Sequence, residues 1–157
     1  MAYSFHEQFK LAQAEVMLTL ENQTKEVLVQ VVDRLLEYSV VGDPNTWHPA
    51  IWPKDYTPGA FKGSWHHSIG APSSDTSEHI EAQGSTSRME CGAGIEANPF
   101  ADHFFTNNQS YAMLLERGGH SPRTPAGGIV GRTEMDFQGI VNGVVKSHVP
   151  NKWKYKE

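Results

Sequence analysis

The constraint that most limits this chain lies at its start. Phe5, Phe9, Ala12, Val16, Leu20, Val27, Val31 and Leu35 recur at spacings of three, four or seven residues, the stripe of an amphipathic helix. Ser4 followed by Glu7 predicts a capping box, each side chain satisfying an unpaired amide of the first turn. Gly42 and then Asp43-Pro44 predict the stop, a left-handed glycine followed by a residue that cannot continue the helix. A helix over 5–41 is roughly 55 Å long at 1.5 Å per residue, more than the width expected of a globule this size. Either it breaks near Asn22-Gln23-Thr24, or one end projects and finds cover on another chain.

The remainder sets the class. Four prolines (44, 49, 53, 58) and Trp47 and Trp52 make 43–60 a loop. Thr57-Pro58-Gly59 then predicts a helical turn to about Gly63, with Thr57 as cap and Pro58 at the first helical position. Over 64–69 alternation puts Trp65, His67 and Ile69 on one strand face. The segment 71–100 reads as loop-rich, with 71–87 a hairpin or mobile loop and 78–83 as one of its strands. A second strand is predicted over 102–106, turning at Asn107-Asn108. Ser110 is the expected cap of a short helix over 111–117 closed by Gly118-Gly119, and 120–128 is a loop. A last helix from about Gly131 places Phe137, Ile140, Val141, Val144 and Val145 on its packed side and ends before Pro150. Gly139 and Gly143 each weaken it by about 1 kcal/mol relative to alanine unless something packs close. No repeat is visible and no βαβ alternation. The expected class is α+β: long N-terminal and C-terminal helices on a small, mainly antiparallel sheet, forming one domain over 1–150 with a tail at 151–157.

Composition narrows function. With 157 residues, 38% of them hydrophobic, the chain can bury a core without disulfide or metal staples. Cys91 is the single cysteine, which excludes an internal disulfide framework and a multi-cysteine zinc site. No apolar run approaches a membrane span, and the N-terminus lacks a signal-peptide pattern; the expectation is a soluble, cytoplasmically made protein with no membrane partner. The net charge is −5, and residues 1–130 carry 8 basic against 15 acidic side chains, so no phosphate-gripping groove is expected there. Only 151–157, where Lys152, Trp153, Lys154, Tyr155 and Lys156 alternate, is basic and aromatic. This tail is read as an arm that packs on a neighbouring protein through Trp153, Lys154 and Tyr155.

Eight histidines invite a catalytic reading. His66 and His67 are adjacent, so a strand points them to opposite faces. His48, His79, His103, His120 and His148 stand apart in sequence, and none of the eight has zinc-ligand spacing. Cys91, beside Glu90, reads as a small packing residue. Gly92-Ala93-Gly94 lacks the third glycine and the strand of a dinucleotide site, and neither Gly-x-Ser-x-Gly nor a phosphate loop occurs. No catalytic, cofactor-binding or metal site is expected, and no cofactor.

The most distinctive stretch is Asn107-Asn108-Gln109-Ser110-Tyr111-Ala112-Met113-Leu114-Leu115-Glu116-Arg117-Gly118, followed by Pro125-Ala126-Gly127-Gly128-Ile129-Val130 and a helix containing Phe137. It resembles the tail-completion or neck proteins of long-tailed bacteriophages, also described as minor tail components or head–tail joining proteins. The similarity reaches upstream to Thr57-Pro58-Gly59-Ala60-Phe61-Lys62-Gly63-Ser64-Trp65, with Phe61 where the family has leucine. It is concentrated over 104–137 and does not extend to 70–100 or 148–157. The resemblance implies a non-enzymatic virion component at the head–tail interface, assembled in the host cytoplasm as a ring, typically of six subunits. Its partners would be tail terminator or tail tube proteins and the head-completion or adaptor proteins of the connector. DNA would pass through without specific binding. Asn107, Asn108, Tyr111, Glu116, Gly118, Pro125 and Gly127 would then be fold or interface determinants. An acidic balance suits a channel through which DNA slides, whereas a lumen lined by Lys and Arg would count against this reading. Two other readings compete: a small metal-dependent hydrolase using some of His48, His66, His67, His103 and His120, and a non-specific DNA-binding accessory protein acting through the lysine tail.

Overall fold

The computed structural model describes residues 4–43, 56–76, 79–118 and 123–148. Its elements are α1 (Phe5–Tyr38), α2 (Ala60–Gly63), β1 (Trp65–Ile69), α3 (Ser85–Ala97), β2 (His103–Asn107), α4 (Ala112–Arg117) and α5 (Ile129–Ser147). The class is α+β. Two long helices pack with a two-stranded antiparallel sheet in which Trp65 faces Asn107, His67 faces Phe105 and Ile69 faces His103.

The first helix is unbroken through Asn22-Gln23-Thr24 and starts on the expected capping box, with the Ser4 amide donating to Glu7 Oε2 at 2.7 Å. Its end differs from expectation. Tyr38 is the last helical residue, Ser39 is the cap, and Gly42 does not adopt a positive φ. Ser39 explains the early stop. Its hydroxyl donates to Leu35 O (2.6 Å) and accepts from Trp65 Nε1 (2.8 Å), a fully buried relay that ties the helix end to β1. Gly42 instead donates its amide to the Tyr56 hydroxyl.

Around this relay lies the core: Val32, Leu35, Leu36, Tyr56, Phe61, Trp65, Cys91, Ile95, Tyr111, Leu115 and Ile129. Phe61 meets Trp65 edge-on at 5.8 Å, and Tyr111 packs on Phe61 and Tyr56. In α2, Gly59, with φ +86°, is the N-cap and Thr57 contributes its carbonyl. Thr57 therefore does not cap by its side chain, and Pro58 precedes the helix.

The largest correction concerns 71–100. Residues 85–97, expected to be loop, form the three-turn helix α3, and the described residues of 78–83 include no strand. The buried positions Ser87, Cys91 and Ile95 repeat every four residues, but one is polar and one is cysteine, so the stripe is faint in sequence. The helix is held from outside. The Glu81 carboxylate accepts from the Thr86 amide at 2.7 Å, and this bond lowers the Glu81 pKa. Arg88 pairs with Asp33 of α1 through two bonds of 2.5 and 3.0 Å, and Lys25 reaches Glu96 at 2.7 Å.

Helix α5 starts at Ile129, two residues earlier than expected, and runs antiparallel to α1. Tyr38 donates to Asp136 near one end, and His148 lies 3.5 Å from Glu26 near the other. Ile140 and Val144 are buried as expected, whereas Phe137 and Val145 remain 47% and 44% exposed. Gly139 and Gly143 face open space among the described residues, so no close packing there offsets their helix cost.

Candidate functional site

The 107–131 corner is where the motif residues converge. Asn107 ends β2; its Nδ2 donates to Phe61 O (2.7 Å) and its Oδ1 accepts the Gln109 amide, closing a turn within its own side chain. Asn108 Nδ2 donates to Ser73 O and Asp75 O at 2.9 and 2.8 Å, holding the connection that leaves β1. Gln109 donates to Ser64 Oγ. Ser110 does not cap the next helix by its side chain; α4 begins at Ala112 with Tyr111 as N-cap. Tyr111 is 5% exposed, and burial first, then its neighbour Tyr56, pushes its phenol up to about 12.

Glu116 has the most definite role. Its Oε2 accepts the amides of Ile129 and Val130, both at 2.9 Å, and its Oε1 accepts that of Gly131 at 3.0 Å. Three of the four orphan donors of a helix N-terminus are thus satisfied by one carboxylate from another helix. Gly128 makes this approach feasible: a Cβ there would lie 2.1 Å from Glu116 O, and its φ is +79°. Gly118 (φ +69°) ends α4, the Pro125 carbonyl accepts the Gly128 amide, and Gly127 (φ +92°) turns the loop. The motif residues Asn107, Asn108, Glu116, Gly118, Gly127 and Gly128 are therefore joints between elements. Trp153, Lys154 and Tyr155 lie outside the described residues.

The histidines are less scattered than their spacing implies. His66 and His67 alternate on β1, but His67 Nε2 lies 2.8 Å from His103 Nδ1 across the sheet, with the two rings and Phe105 clustered. A diagonal offset of two residues in the strand register brings them together, and sequence spacing alone does not display it. Burial first, then His103, lowers the His67 pKa. Gly94 of α3 abuts this pair: a Cβ there would fall 2.0 Å from His67 Nδ1. His48 and His120 lie outside the described residues. Among the described residues no group of three or more His, Cys, Asp or Glu is arranged to hold a metal ion. Cys91 is 1% exposed, and burial, with Glu90 adding to it, pushes its thiol up to about 12. Such a thiol remains protonated and unreactive near neutral pH.

One surface stands out by exposure. Residues 5–18 of α1 are all exposed, including Phe5 (84%), Phe9 (61%), Val16 (60%) and Leu18 (59%). Nine of the sixteen residues over 5–20 are apolar, and only Glu7, Lys10 and Glu15 carry a formal charge. Scattered exposed apolar residues need no explanation, but a contiguous patch of this kind marks an interaction site. A second apolar feature lies where α1, α5 and β2 meet: an open groove of about 270 Å³ lined by Val31, Leu35, Phe105, Val130, Thr133, Glu134 and Phe137. The sequence stripe located the first feature. The second depends on Phe137 lying partly outside the core, which periodicity does not reveal.

Comparison of the chain with protein-family models, curated proteins and solved structures finds no match.

Proposed function

We propose that this chain is a structural component of a phage neck, completing the tail and joining it to the head connector as a ring around the DNA path. The observation that carries this reading is the uncovered first half of α1. A chain that builds a continuous 34-residue helix and anchors only its second half in a core has made an arm for another molecule. The motif resemblance over 104–137 supports the same reading, because its residues act here as joints of a rigid body. Hexameric closure, the tail and connector proteins as partners, the virion as location and the absence of catalysis are all parts of this proposal. The test is disruption of the gene in its phage. Full heads and complete tails that accumulate unjoined are the expected result, rescued by the gene supplied in trans. Normal yields of joined, infectious particles overturn the reading.

A further inference from the structure

We infer that the tail, residues 149–157, lies along the bare face of the first half of α1 in the same molecule, with Trp153 and Tyr155 seated on its apolar stripe. The inference goes beyond the neck reading and bears on it in one respect: a partner that takes this face must take it from the tail.

The heading of the tail follows from α5. Tyr38 meets Asp136 and Glu26 meets His148, so 12 positions along α1 match 12 along α5. The two helices run antiparallel and side by side, and at His148 the chain is heading toward the N-terminal end of α1. The face ahead is the one that α5 covers. At about 100° per residue, Phe5, Phe9, Ala12, Val16 and Leu20 share a sector with Gln30, Arg34 and Tyr38. Tyr38 and Arg34 meet Asp136, and Gln30 and Arg34 line a groove with Met135, Gly139 and Ile140. Past the level of Glu26 the same face runs on, with Phe5, Phe9, Val16 and Leu20 all exposed.

The length fits. Glu26 and Phe9 are 17 positions apart, roughly 25 Å at 1.5 Å per helical residue. The nine residues that follow His148 span about 30 Å when extended. Val149 precedes Pro150, a pairing that favours extended backbone and does not continue a helix. At about 3.3 Å per residue, Trp153 comes level with Glu15 and Val16, and Tyr155 falls between Phe9 and Ala12. In an extended segment these two side chains point to one side, and Lys152, Lys154 and Lys156 to the other.

The chemistry fits too. Trp and Tyr bring large apolar faces with a polar edge that can stay in water, which suits a shallow stripe on an exposed helix. Residues 5–26 hold Glu7, Glu15, Glu21 and Glu26 against Lys10 and Lys25, whereas 149–157 hold three lysines against Glu157. Glu15 lies within about 20° of Glu26 around the helix. That is the edge His148 already reaches, and Lys152 and Lys154 pass Glu15 on either side. Exposed ion pairs contribute little singly, so the aromatic pair carries the contact.

No other stretch outside the described residues is long enough to cover this face. Residues 44–55 start and finish at the far end of α1, where Gly42 donates to the Tyr56 hydroxyl. Tyr38 and Val16 are 22 positions apart, about 33 Å, and a return path of about 66 Å exceeds the roughly 45 Å that such a segment spans. The stretches 77–78 and 119–122 are shorter still, and 1–3 can cover no more than the first two turns. A second copy competes poorly for the same stripe. A tether of a few residues holds the tail at an effective concentration of order millimolar, so in dilute solution its own α1 wins.

The experiment uses the full-length K156C variant, isotope-labelled and carrying a nitroxide on the new thiol; Cys91 is buried and takes none. In dilute solution the amide signals of 5–16 are expected to broaden while those of 30–38 stay sharp. Sharp signals over 5–16 overturn the inference. W153S/Y155S removes the aromatic pair, and V16K puts a charge into the stripe at an exposed position; each is expected to restore the signals. Broadening that persists in either variant overturns the inference, because an undocked tail would give it too. A mixture of nitroxide-bearing chains without isotope and isotope-labelled chains without nitroxide reads contact between copies. No broadening is expected there, and broadening over 5–16 in the mixture overturns the inference. A docked tail in a chain whose gene disruption leaves particles joined fells the neck reading and leaves this contact standing. Unjoined heads and tails with an undocked tail do the reverse.

Discussion

Replacing Glu116 by alanine tests how much of this fold depends on a single carboxylate. That side chain accepts three amides of the first turn of α5 at 2.9, 2.9 and 3.0 Å, and the cap residue Gly128 supplies no side-chain bond. Loss of an N-cap acceptor costs about 0.5–2 kcal/mol. Loss of an anion from the positive end of a partly buried helix dipole adds up to about 2 kcal/mol. The Val130 amide is exposed enough to be hydrated in the variant, while Ile129, at 2% exposure, is not. The expected destabilisation of E116A is therefore about 2–3 kcal/mol. E116Q keeps one carbonyl acceptor but turns an NH₂ group toward a row of N–H donors, and should fall about 1–2 kcal/mol below wild type. Urea unfolding with a constant m-value provides the measurement. Amide exchange at Ile129, Val130 and Gly131 provides its location, since those three should lose protection before the middle of α5. An E116A variant within about 0.5 kcal/mol of wild type would refute the reasoning, because surface substitutions away from any specific bond stay within that range.

Two further predictions follow from close approaches in the core and at the sheet. The glycines of the helices should respond to alanine with opposite signs. G139A, which faces an open groove of about 350 Å³, and G143A, which meets nothing within 4 Å, should each stabilise the isolated chain by about 0.5–1 kcal/mol. G94A should destabilise it by about 1–2 kcal/mol despite the same helix gain, because its methyl would displace the His67 ring from His103; thermal melts of the three variants check the signs. The lowered His67 pKa makes the unfolded chain the stronger proton binder between the folded value and about 6.5. Stability should therefore be full above about pH 7 and fall as the pH drops below about 6.5, and H67Q should flatten that slope relative to wild type in urea midpoints taken across this range.

How much of this was legible in the sequence depends on how each element earns its stability. Helix α1 was readable because its apolar spacing and its Ser4/Glu7 box are local. Strand β1 was readable because Trp65, His67 and Ile69 alternate with polar residues, and β2 because the short run over 102–106 ends at the turn signal Asn107-Asn108. Helix α3 was not, since what holds it is remote: Arg88 on Asp33, Lys25 on Glu96, Glu81 on its first turn, and Gly94 against His67 of β1. The expected caps Thr57 and Ser110 failed for a related reason. At both sites the chain closes the turn with backbone carbonyls, those of Thr57 and Gln109. The candidate site divides in the same way. The motif residues around 107–128 announced themselves by type and spacing, but that Glu116 grips α5 and that His67 meets His103 are tertiary facts.

These two layers bear on why the chain leaves half of α1 bare. Every joint described above lies on the C-terminal side of residue 20: the Ser39–Trp65 relay, the Arg88–Asp33 fork, the Glu116 cap and the Tyr38–Asp136 bond. They hold the second half of α1 against α3, β1 and α5, while the first half makes local bonds such as Thr19 to the Glu15 carbonyl. A helix clamped in this way at one end transmits the orientation of its free end rigidly, because an unbroken α-helix bends only gently without a proline or a defect. Neither proline nor glycine occurs between Phe5 and Tyr38. Had the arm been meant to adapt to varied partners, a break at Asn22-Gln23-Thr24 would have served; its continuity through that segment favours a partner that always presents the same geometry, as an identical subunit does.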